Sequence, residues 1–216
     1  NGLRPVKITT DFIQFAEGSC LIECGDTKVL CCASVEDRTP PHVPYGHGWV
    51  TAEYSMLPRA NRERSKRDVS KLKLSPRSAE IQRLVGRSLR AAVDMKRLGE
   101  LTITVDCDVL QGDGGTRTAS VTGGFVALAL ACRKLVRDGD LASSPIRHYV
   151  TGVSAGIVED TALLDLRYSE DSRAQVDLNC IMTETGELIE LQGTGEGRAF
   201  TITEQQELVR LCAKGC

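Results

Sequence analysis

A segment in the middle of the chain joins an alternating strand pattern, a glycine-rich turn and a long apolar stretch. Residues 101–107 alternate between apolar and polar side chains, which predicts a β-strand. The turn 111–115 contains three glycines, and residues 116–138 then continue without proline until Gly139, which predicts a long helix. A strand, a tight turn and a helix in direct succession favour a fold in which helices pack against a sheet.

Short apolar runs separated by turn signals occupy much of the remaining chain. They lie at residues 19–24, 27–35, 49–54, 150–158, 163–168, 175–182 and 188–191. The first two flank a Gly25-Asp26 corner, which predicts a β-hairpin, and residues 204–213 predict a terminal helix. Because strands and helices follow one another without regular βαβ repetition, the sequence predicts an α+β fold with mixed β-sheets and packed helices.

A second helix is predicted after Ser75. Ser75 suits the N-cap position, and Pro76 suits the first helical position. Apolar side chains then recur at helical spacing up to Gly99, at Ile81, Leu84, Val85, Leu89 and Val93. The preceding residues 59–73 lack such periodicity and are predicted to form a mobile loop. The pattern therefore predicts a long amphipathic helix that ends at Gly99.

Composition favours a single unexported domain. The 216 residues, 41% of them hydrophobic, can bury one substantial core, which predicts one domain over residues 1–216. No stretch approaches the roughly 18 apolar residues of a membrane span, and the first residues lack the apolar centre of a signal peptide. Nine cysteines without a Cys-x-x-Cys pair indicate buried reduced thiols. These features predict a cytoplasmic protein without a membrane partner.

Charge is unevenly distributed along the chain. The formal net charge is −2, but residues 59–90 hold eleven Lys or Arg against three acids, which gives +8 there and −10 elsewhere. This asymmetry predicts an anionic partner, with a solvated charged face as the alternative. Four arginines on the predicted loop suit a nucleic-acid backbone: Arg59, Arg62, Arg64 and Arg67. Because aromatic residues make up only 4%, recognition is expected through backbone charge rather than base stacking.

The motif Gly114-Gly115-Thr116-Arg117-Thr118 joins the central strand to its helix. Glycines let backbone amides approach an anion, and the helix presents the positive end of its dipole. In the alternative interpretation the motif is an ordinary connection with Thr116 as the N-cap. Arg117 decides for a phosphate site, because a guanidinium matches phosphate oxygens and has little structural role in a glycine turn.

Arg77 adds a second cation to this interpretation. It falls in the first turn of the helix predicted after Ser75, where a positive charge opposes the helix dipole. A bound anion explains that placement better than helix stability does. The glycine motif lacks the GK[ST] ending of a nucleotide P-loop, so the predicted ligand is a phosphate group rather than a nucleotide in such a loop.

Acidic residues cluster towards the end of the chain, at Asp165, Glu170, Asp171 and Asp177. Asp177 lies among apolar residues in a predicted strand, where a carboxylate is costly unless it is engaged. Two such carboxylates near a phosphate can hold Mg²⁺ or protonate a leaving oxygen. The alternative, acids that cap turns and pair with arginines, is favoured for Asp165 and Glu170.

Long collinear motifs identify a family resemblance over nearly the whole chain. They are LRPV from Leu3, ASVEDRTPP from Ala33, GWVTAEYSMLPRA from Gly48, EIQRLVGRSLRAAVD from Glu80, DCDVLQGDGGTRTASVTG from Asp106 and LQGTGE from Leu191. The chain resembles the bacterial-type ribonuclease PH family of phosphorolytic 3′-exoribonucleases. The resemblance implies the RNase PH-like (ribosomal protein S5 domain 2-like) fold and a homohexameric ring made as a trimer of dimers.

The resemblance also implies roles for individual residues. The orthophosphate site falls on Arg77, Gly115, Thr116 and Arg117. The catalytic carboxylates, with Mg²⁺ nearby, fall on Asp171 and Asp177, and the RNA-binding arginines on Arg59, Arg64 and Arg67. Arg87 and Arg90 lie on the predicted amphipathic helix, where pairing with acids or a subunit interface is the alternative to RNA contact. Compared with the family, both ends of the chain look trimmed.

The implied activity is the phosphate-dependent removal of 3′-terminal nucleotides from precursor tRNA and other RNA. It releases nucleoside 5′-diphosphates and is reversible, so the enzyme is also a nucleotidyltransferase. The sequence leaves two other functions open: a catalytically silent RNA-binding ring subunit, and a hydrolytic nuclease that uses the carboxylates with water. The first should have lost part of the phosphate and carboxylate set, and the second leaves the phosphate site without a purpose.

Overall fold

Two β-sheets and the helices packed against them make up the fold. The computed structural model of the chain describes residues 2–67 and 74–216. In chain order its elements are β1 (Val6–Thr10), β2 (Gly18–Cys24), β3 (Thr27–Glu36), β4 (Trp49–Met56), α1 (Pro76–Ala91), α2 (Met95–Leu98), β5 (Thr102–Gln111), α3 (Thr116–Asp138), β6 (Val150–Val158), β7 (Thr161–Leu164), α4 (Tyr168–Asp171), β8 (Val176–Thr183), β9 (Leu188–Gly195) and α5 (Ile202–Gly215). This order has no regular βαβ repetition, and the predicted α+β class is confirmed.

The five-stranded sheet has the order β1-β2-β3-β5-β4. β4 pairs with β5 in parallel and the other neighbours pair antiparallel, so the chain between β4 and β5 must cross over and carries α1. The predicted hairpin is confirmed as β2 and β3, which turn at Gly25 with φ of +55°. Cys31 is buried beneath this sheet and Cys32 lies on its other face, as alternation requires. All nine cysteines are free thiols.

The four-stranded sheet has the order β7-β6-β8-β9 and is antiparallel throughout. The prediction of a strand over residues 163–168 is wrong for its second half. β7 ends at Leu164, because the next residue, Asp165, adopts a left-handed φ of +56° and cannot continue a strand. The chain then enters the short helix α4, which leads into β8.

The helix after Ser75 is shorter than predicted. Ser75 is confirmed as the N-cap, since its side chain accepts a hydrogen bond from the Ser78 amide at 3.0 Å. The predicted continuation to Gly99 is wrong, because α1 ends before Ala92, whose carbonyl accepts a hydrogen bond from the Arg147 amide at 2.7 Å. A separate helix, α2, follows after its own cap. In the mobile loop predicted for residues 59–73, residues 68–73 lie outside the described residues.

Helix α3 lies between the two sheets and contacts both. Its predicted bounds and its termination at Gly139 are confirmed. The largest apolar cluster joins α1, α3 and the five-stranded sheet, and it includes Val150 and Ile181 from the other sheet. A second cluster lies between the four-stranded sheet and α5, around Leu178 and Leu208. Because α3 is shared by both layers, it fixes the position of one sheet relative to the other.

By length and composition, α3 is the one helix in residues 2–67 and 74–216 that could cross a membrane. However, 61% of its most apolar window is buried inside the fold. A central helix that contacts two sheets passes the same test, so its apolar character is explained by the core. The prediction of one domain over residues 1–216 stays a prediction, which the shared helix supports.

Candidate active site

A cavity of about 340 Å³ lies where the N-terminus of α3 meets the four-stranded sheet. Its lining comes from both halves of the chain: Arg77, Gly115, Thr116, Arg117, Ser154, Asp171, Ser172, Ala174, Asp177, Asn179 and Glu196. The six residues predicted for phosphate binding and catalysis are all among them. Residues that lie a hundred positions apart in the sequence thus share one small space.

The glycine turn (residues 112–115) gives the cavity its exposed backbone amides. Gly114 and Gly115 adopt φ of +77° and +65°, a region that favours glycine. A Cβ at Gly114 would lie 2.3 Å from the Leu166 carbonyl oxygen, so the close packing of the turn also requires glycine. Gly115 is the N-cap of α3, and no side chain in the described part of the chain caps this end of the helix. The first amides of a 23-residue helix therefore face the cavity region uncapped, as an anion site needs.

Thr116 is the first residue of α3, which excludes the alternative that it serves only as an N-cap. Its hydroxyl lies 3.0 Å from the Tyr54 hydroxyl in a buried contact. Burial raises the pKa of Tyr54, so its phenol stays protonated at neutral pH and can donate to Thr116. With that donor in place, the Thr116 hydroxyl can direct its own proton towards a ligand in the cavity.

The two arginines reach the cavity from different helices. Arg77 is exposed on the first turn of α1, and no salt bridge or hydrogen bond of its side chain is found within the described residues. The Arg117 side chain is 20% exposed and donates to the Gln192 side chain at 3.0 Å. It also lies 3.5 Å from the Glu80 carboxylate. Arg117 is therefore held in place, whereas Arg77 is available to a ligand.

Two carboxylates face these cations across the cavity. Burial raises the pKa of Asp177 on β8, and the negative charge of Asp171 raises it further. Asp171 ends α4 at the solvent edge, yet the protein around its carboxyl group still raises its pKa, against the opposing effect of Arg77 and Arg117. Asn179 donates to Asp177 at 3.1 Å and fixes its orientation. In the protein without a ligand, the nearby arginines therefore do not offset the effect of burial on these two carboxyl groups.

The donor set fits a cation that binds few protein groups. Within the described residues there is no cluster of three or more His, Cys, Asp or Glu side chains that could hold a metal. Mg²⁺ commonly uses one or two carboxylates and completes its shell with water and substrate phosphate oxygens. Asp171 and Asp177 match that requirement, and burial raises the pKa of both carboxyl groups, an effect that a bound cation would oppose.

Asp165 and Glu170 lie outside the cavity lining and pair with arginines, as the alternative for them predicted. Asp165 is 8% exposed and binds Arg4 through the backbone amide at 2.9 Å and through the guanidinium at 2.7 Å. Glu170 pairs with Arg167 at the start of α4. Arg4 also donates to the Asp113 carbonyl at 2.6 Å, so the Arg4–Asp165 pair stabilises the conformation of the glycine turn.

The arginines predicted to bind RNA are not part of the cavity. Arg59, Arg64 and Arg67 are exposed on the chain that follows β4. Arg87 binds Glu190, and Arg90 packs its guanidinium 4.6 Å from the centre of the Trp49 ring. The Arg87 contact agrees with the alternative of pairing with acids, whereas Arg90 contacts an aromatic ring rather than an acid.

Sequence reasoning missed several residues of the lining, among them Ser154, Ser172, Asn179 and Glu196. Asn179 carried a usable signal, because it lies two positions after Asp177 on the same face of a strand and is likewise polar among apolar neighbours. Ser154 carried none, since small polar residues are common in strands. Glu196 follows the end of β9, in a segment that shows no periodic pattern.

Two models of one enzyme family match almost the whole chain. The model of the 3′ exoribonuclease family, domain 1, matches residues 2–134, and that of domain 2 matches residues 148–214. A ribonuclease PH of Neisseria gonorrhoeae (strain NCCP11945) is 55% identical over 216 residues, which are 100% of this chain and 89% of that protein. The chain belongs to the ribonuclease PH family. The predicted resemblance is thereby confirmed.

Solved structures of other proteins share the fold. An Archaeoglobus fulgidus exosome described as having RNA bound to the active site superposes with a TM-score of 0.83 at 23% identity, over 98% of this chain and 85% of that chain. A rice (Oryza sativa) Rrp46 superposes with a TM-score of 0.78 at 16% identity, over 97% and 87%. The predicted RNase PH-like fold is confirmed by these likenesses.

Ribonuclease PH enzymes use phosphate to remove nucleotides from the 3′ end of RNA. With 55% identity over its full length, this chain is a phosphate-dependent 3′ exoribonuclease. The predicted activity is confirmed, and the silent ring subunit and the hydrolytic nuclease are no longer needed to explain the sequence. Family membership does not assign roles to individual side chains, which rest on the geometry of the cavity.

Proposed function

We propose that orthophosphate binds in the cavity at the N-terminus of α3 and attacks the last phosphodiester of an RNA strand. Arg77, Arg117, the Gly115 and Thr116 amides and the Thr116 hydroxyl would hold it. The observation that carries this proposal is the convergence of these groups with Asp171 and Asp177 in one cavity of about 340 Å³. A phosphate site next to two carboxylates places the attacking orthophosphate close to the groups that would act on the leaving 3′ oxygen.

The cations that line the cavity reduce the electrostatic repulsion between the two reacting phosphate groups. A phosphate anion must approach a diester that is itself negatively charged, and the two repel each other. Two guanidinium groups and the positive end of α3 offset that repulsion, and they do so in a cavity where water screens the charges only in part. Arg117 is already fixed by Gln192 and Glu80, so it needs little rearrangement when phosphate binds.

The bond changes follow from this placement. An oxygen of orthophosphate forms a bond to the phosphorus of the terminal diester, and the bond from that phosphorus to the 3′ oxygen of the preceding nucleotide breaks. The terminal nucleotide leaves as a nucleoside 5′-diphosphate, and the shortened RNA keeps a free 3′-hydroxyl. Asp177, with Asp171, would either position Mg²⁺ or, without a bound cation, assist the protonation of the departing 3′ oxygen, a role that suits carboxyl groups whose pKa is raised.

Mg²⁺ is the cation that we propose for Asp171 and Asp177, where it would neutralise charge on the reacting phosphate groups. Asn179 keeps the Asp177 carboxylate oriented towards the cavity. Because a diester is exchanged for a diphosphate ester of similar energy, the reaction can run in both directions. The same cavity would therefore extend RNA when nucleoside diphosphates are abundant.

We further propose that Arg59, Arg64 and Arg67 bind the RNA backbone and guide its 3′ end to the cavity. Their exposure and the +8 charge of residues 59–90 support this assignment.

The substrates that we propose are the 3′ tails of precursor tRNA. We also propose a homohexamer built as a trimer of dimers, a cytoplasmic location without a membrane partner, and a single domain over residues 1–216. The similarity to exosome chains supports a ring assembly.

The test is incubation of the protein with a 3′-extended RNA and Mg²⁺, with and without orthophosphate, followed by chromatography of the released nucleotides. Phosphate-dependent release of nucleoside diphosphates is expected, whereas nucleoside monophosphates would show hydrolysis and overturn the mechanism.

Arg77→Ala and Arg117→Ala should each raise the KM for phosphate about tenfold or more, because one charge-assisted contact is lost. RNA binding should change little in either variant.

Arg137→Ala is the matched control for these variants. Arg137 is an exposed arginine at the other end of α3, where it pairs with Asp138. Its replacement removes the same charge, from the same helix that carries Arg117, without touching the cavity, so the KM for phosphate should stay at its original value. An unchanged KM in both Arg77→Ala and Arg117→Ala would contradict the proposed phosphate site.

A further inference from the structure

Ser154 is a buried serine whose hydroxyl has no hydrogen-bond partner among the described residues. It lies on β6, is 4% exposed and lines the cavity. Three other buried serines donate to carbonyl groups: Ser19 to Ile13, Ser88 to Leu84 and Ser120 to Thr116. A buried hydroxyl without a partner is unfavourable, so its presence in a cavity wall calls for a ligand.

The position of Ser154 places this hydroxyl beneath the phosphate site. Gly152, two residues earlier and so on the same face of β6, packs against the first turns of α3, and its ideal Cβ lies 3.3 Å from the Thr118 Cα atom. The Ser154 carbonyl accepts from the Asp165 amide at 2.7 Å, and Asp165 in turn lies beside Gly115. Ser154 is therefore held between the glycine turn and the strand that carries Asp177.

The neighbouring polar groups on the next strand do not satisfy this hydroxyl. Asn179 lies directly across from Ser154 in the sheet register, but its amide donates to Asp177. Asp177 lies diagonally opposite, next to Gly156. The hydroxyl thus lies in the wall of a cavity that cations and carboxylates also line, where a bound ligand can supply the missing contact.

We propose that the Ser154 hydroxyl is a further binding residue for orthophosphate, which it contacts from the buried side of the cavity. This inference rests on the proposed function and deepens it. Near neutral pH orthophosphate carries both deprotonated and protonated oxygens. A serine hydroxyl can donate to the first and accept from the second, and it adds a contact without adding charge next to Asp177. Arg77 and Arg117, which are more exposed than Ser154, supply the positive charge.

The test is Ser154→Ala, which removes only the hydroxyl. The KM for orthophosphate should rise roughly tenfold, the loss of one hydrogen bond to a charged group. The KM for RNA and the affinity for RNA without phosphate should stay unchanged. Orthophosphate should also raise the melting temperature of the variant less than that of the original protein, because it binds more weakly.

Stability without phosphate separates a binding role from a structural one. Since the hydroxyl has no partner in the free protein, its removal should leave the melting temperature in phosphate-free buffer unchanged or slightly higher. A lower melting temperature would show that the hydroxyl stabilises the fold, and it would overturn the proposal. Ser88→Ala is the matched control, since Ser88 is equally buried but lies on α1 with a carbonyl partner, and its KM for phosphate should not change.

The failure of this inference differs from the failure of the proposed function. If the original protein released no diphosphates in the presence of orthophosphate, the proposed function would be wrong. If it did so, and Ser154→Ala kept its KM for phosphate or instead raised the KM for RNA, only the role of Ser154 would be refuted.

Discussion

Asp177 shows how one residue can serve chemistry at the expense of stability. It lies in an apolar strand, close enough to Asp171 for the two charges to repel, and both effects raise its pKa above the ordinary value of 3.8. The folded carboxyl group therefore keeps its proton to a higher pH than the unfolded one. Its contribution to stability is lost as the pH rises through the interval above 3.8, so at neutral pH the ionised group destabilises the fold.

Asp177→Asn should abolish turnover and stabilise the protein at the same time. The amide cannot ionise, so it removes the repulsion with Asp171, and its oxygen can still accept the hydrogen bond from Asn179. We expect activity to fall by about 10²- to 10⁴-fold and the melting temperature at pH 7 to rise. Thermal unfolding measured between pH 3 and pH 7 should show the gain shrink as the pH falls towards 3.8.

Asp94→Asn is a control of opposite sign for this prediction. The backbone amides of Arg97 and Lys96 lower the pKa of Asp94, so its ionised form stabilises the start of α2 at neutral pH. This variant should lose stability at pH 7 and keep its activity. If Asp177→Asn proved less stable than the original protein at pH 7, the inference that ionised Asp177 destabilises the fold would be wrong.

Single residues were predictable where they broke a local rule. Asp177 is an acid inside an apolar strand, Arg77 is a cation at the positive end of a helix, and Arg117 follows a glycine pair. Ser154 breaks no such rule, because its hydroxyl becomes unusual only once the fold has buried it without a partner. A residue type that does not fit its local pattern can be recognised in the sequence. A side chain that is buried without a partner can be recognised only in the structure.

At the scale of elements, the glycine turn depends on contacts from distant parts of the chain. Arg4 donates to the Asp113 carbonyl and pairs with Asp165, whose side chain is 8% exposed. Thr27 adds a second tie, since its hydroxyl donates to the Gly114 carbonyl at 2.6 Å and accepts from the Asp113 amide at 2.9 Å. The turn is therefore held in a fixed conformation before any ligand binds.

Arg4→Ala should weaken both the fold and the phosphate site. It leaves the Asp165 carboxylate buried without its guanidinium partner, a change that costs about 3–5 kcal/mol for buried pairs. Urea unfolding should show that loss, and the KM for phosphate should rise because the turn loses a support. Arg38→Ala is the control: Arg38 is 82% exposed beside Glu36, and its loss should cost less than about 1 kcal/mol. Equal stability losses in the two variants would contradict a special role for the Arg4–Asp165 pair.

The ends of elements were harder to predict than their existence. The apolar spacing of α1 continues past Ala91, but Val93 leaves the helix to form a bridge with Ile146, a partner more than fifty residues away. β7 stops at Leu164 because Asp165 turns towards Arg4. In both cases a long-range contact overrides a local pattern. The ends of α3 were predicted well because glycines mark them, at Gly115 and Gly139.

At the scale of the whole molecule, the uneven charge should govern RNA affinity. Replacement of Arg59, Arg64 and Arg67 by Ala removes three exposed cations from the segment with a net charge of +8. Each phosphate contact to a single strand contributes about 0.7 to the slope of log affinity against log salt. The triple variant should therefore bind RNA more weakly at low salt, with a slope smaller by about 2, as fluorescence anisotropy would measure.

A second triple variant removes the same charge elsewhere. Arg97, Arg137 and Arg210 are exposed and paired with neighbouring acids, outside residues 59–67. Their replacement by Ala should change the salt slope much less. A similar slope in both triple variants would mean that net charge alone sets the affinity, and that Arg59, Arg64 and Arg67 do not form a specific RNA path.

The class of the fold was predictable from the sequence, but its topology was not. Alternation and turn signals identify strands one at a time, whereas the order β1-β2-β3-β5-β4 and the parallel pairing of β4 with β5 depend on contacts across long stretches of chain. The proposed ring assembly rests on family resemblance alone. Nothing in the spacing of residues along one chain specifies how copies associate.

The contact between Arg4 and Asp165 has a consequence for protein synthesis. The two residues are 161 positions apart, so the ribosome adds the second about 8 to 32 seconds after the first, at roughly 5–20 residues per second. Until then the glycine turn lacks one of its fastenings, even though β1, β5 and α3 have already been made. A nascent chain can therefore form its first sheet before its glycine turn is fully held, and the proposed phosphate site is complete only after Asp171 and Asp177 have also been added.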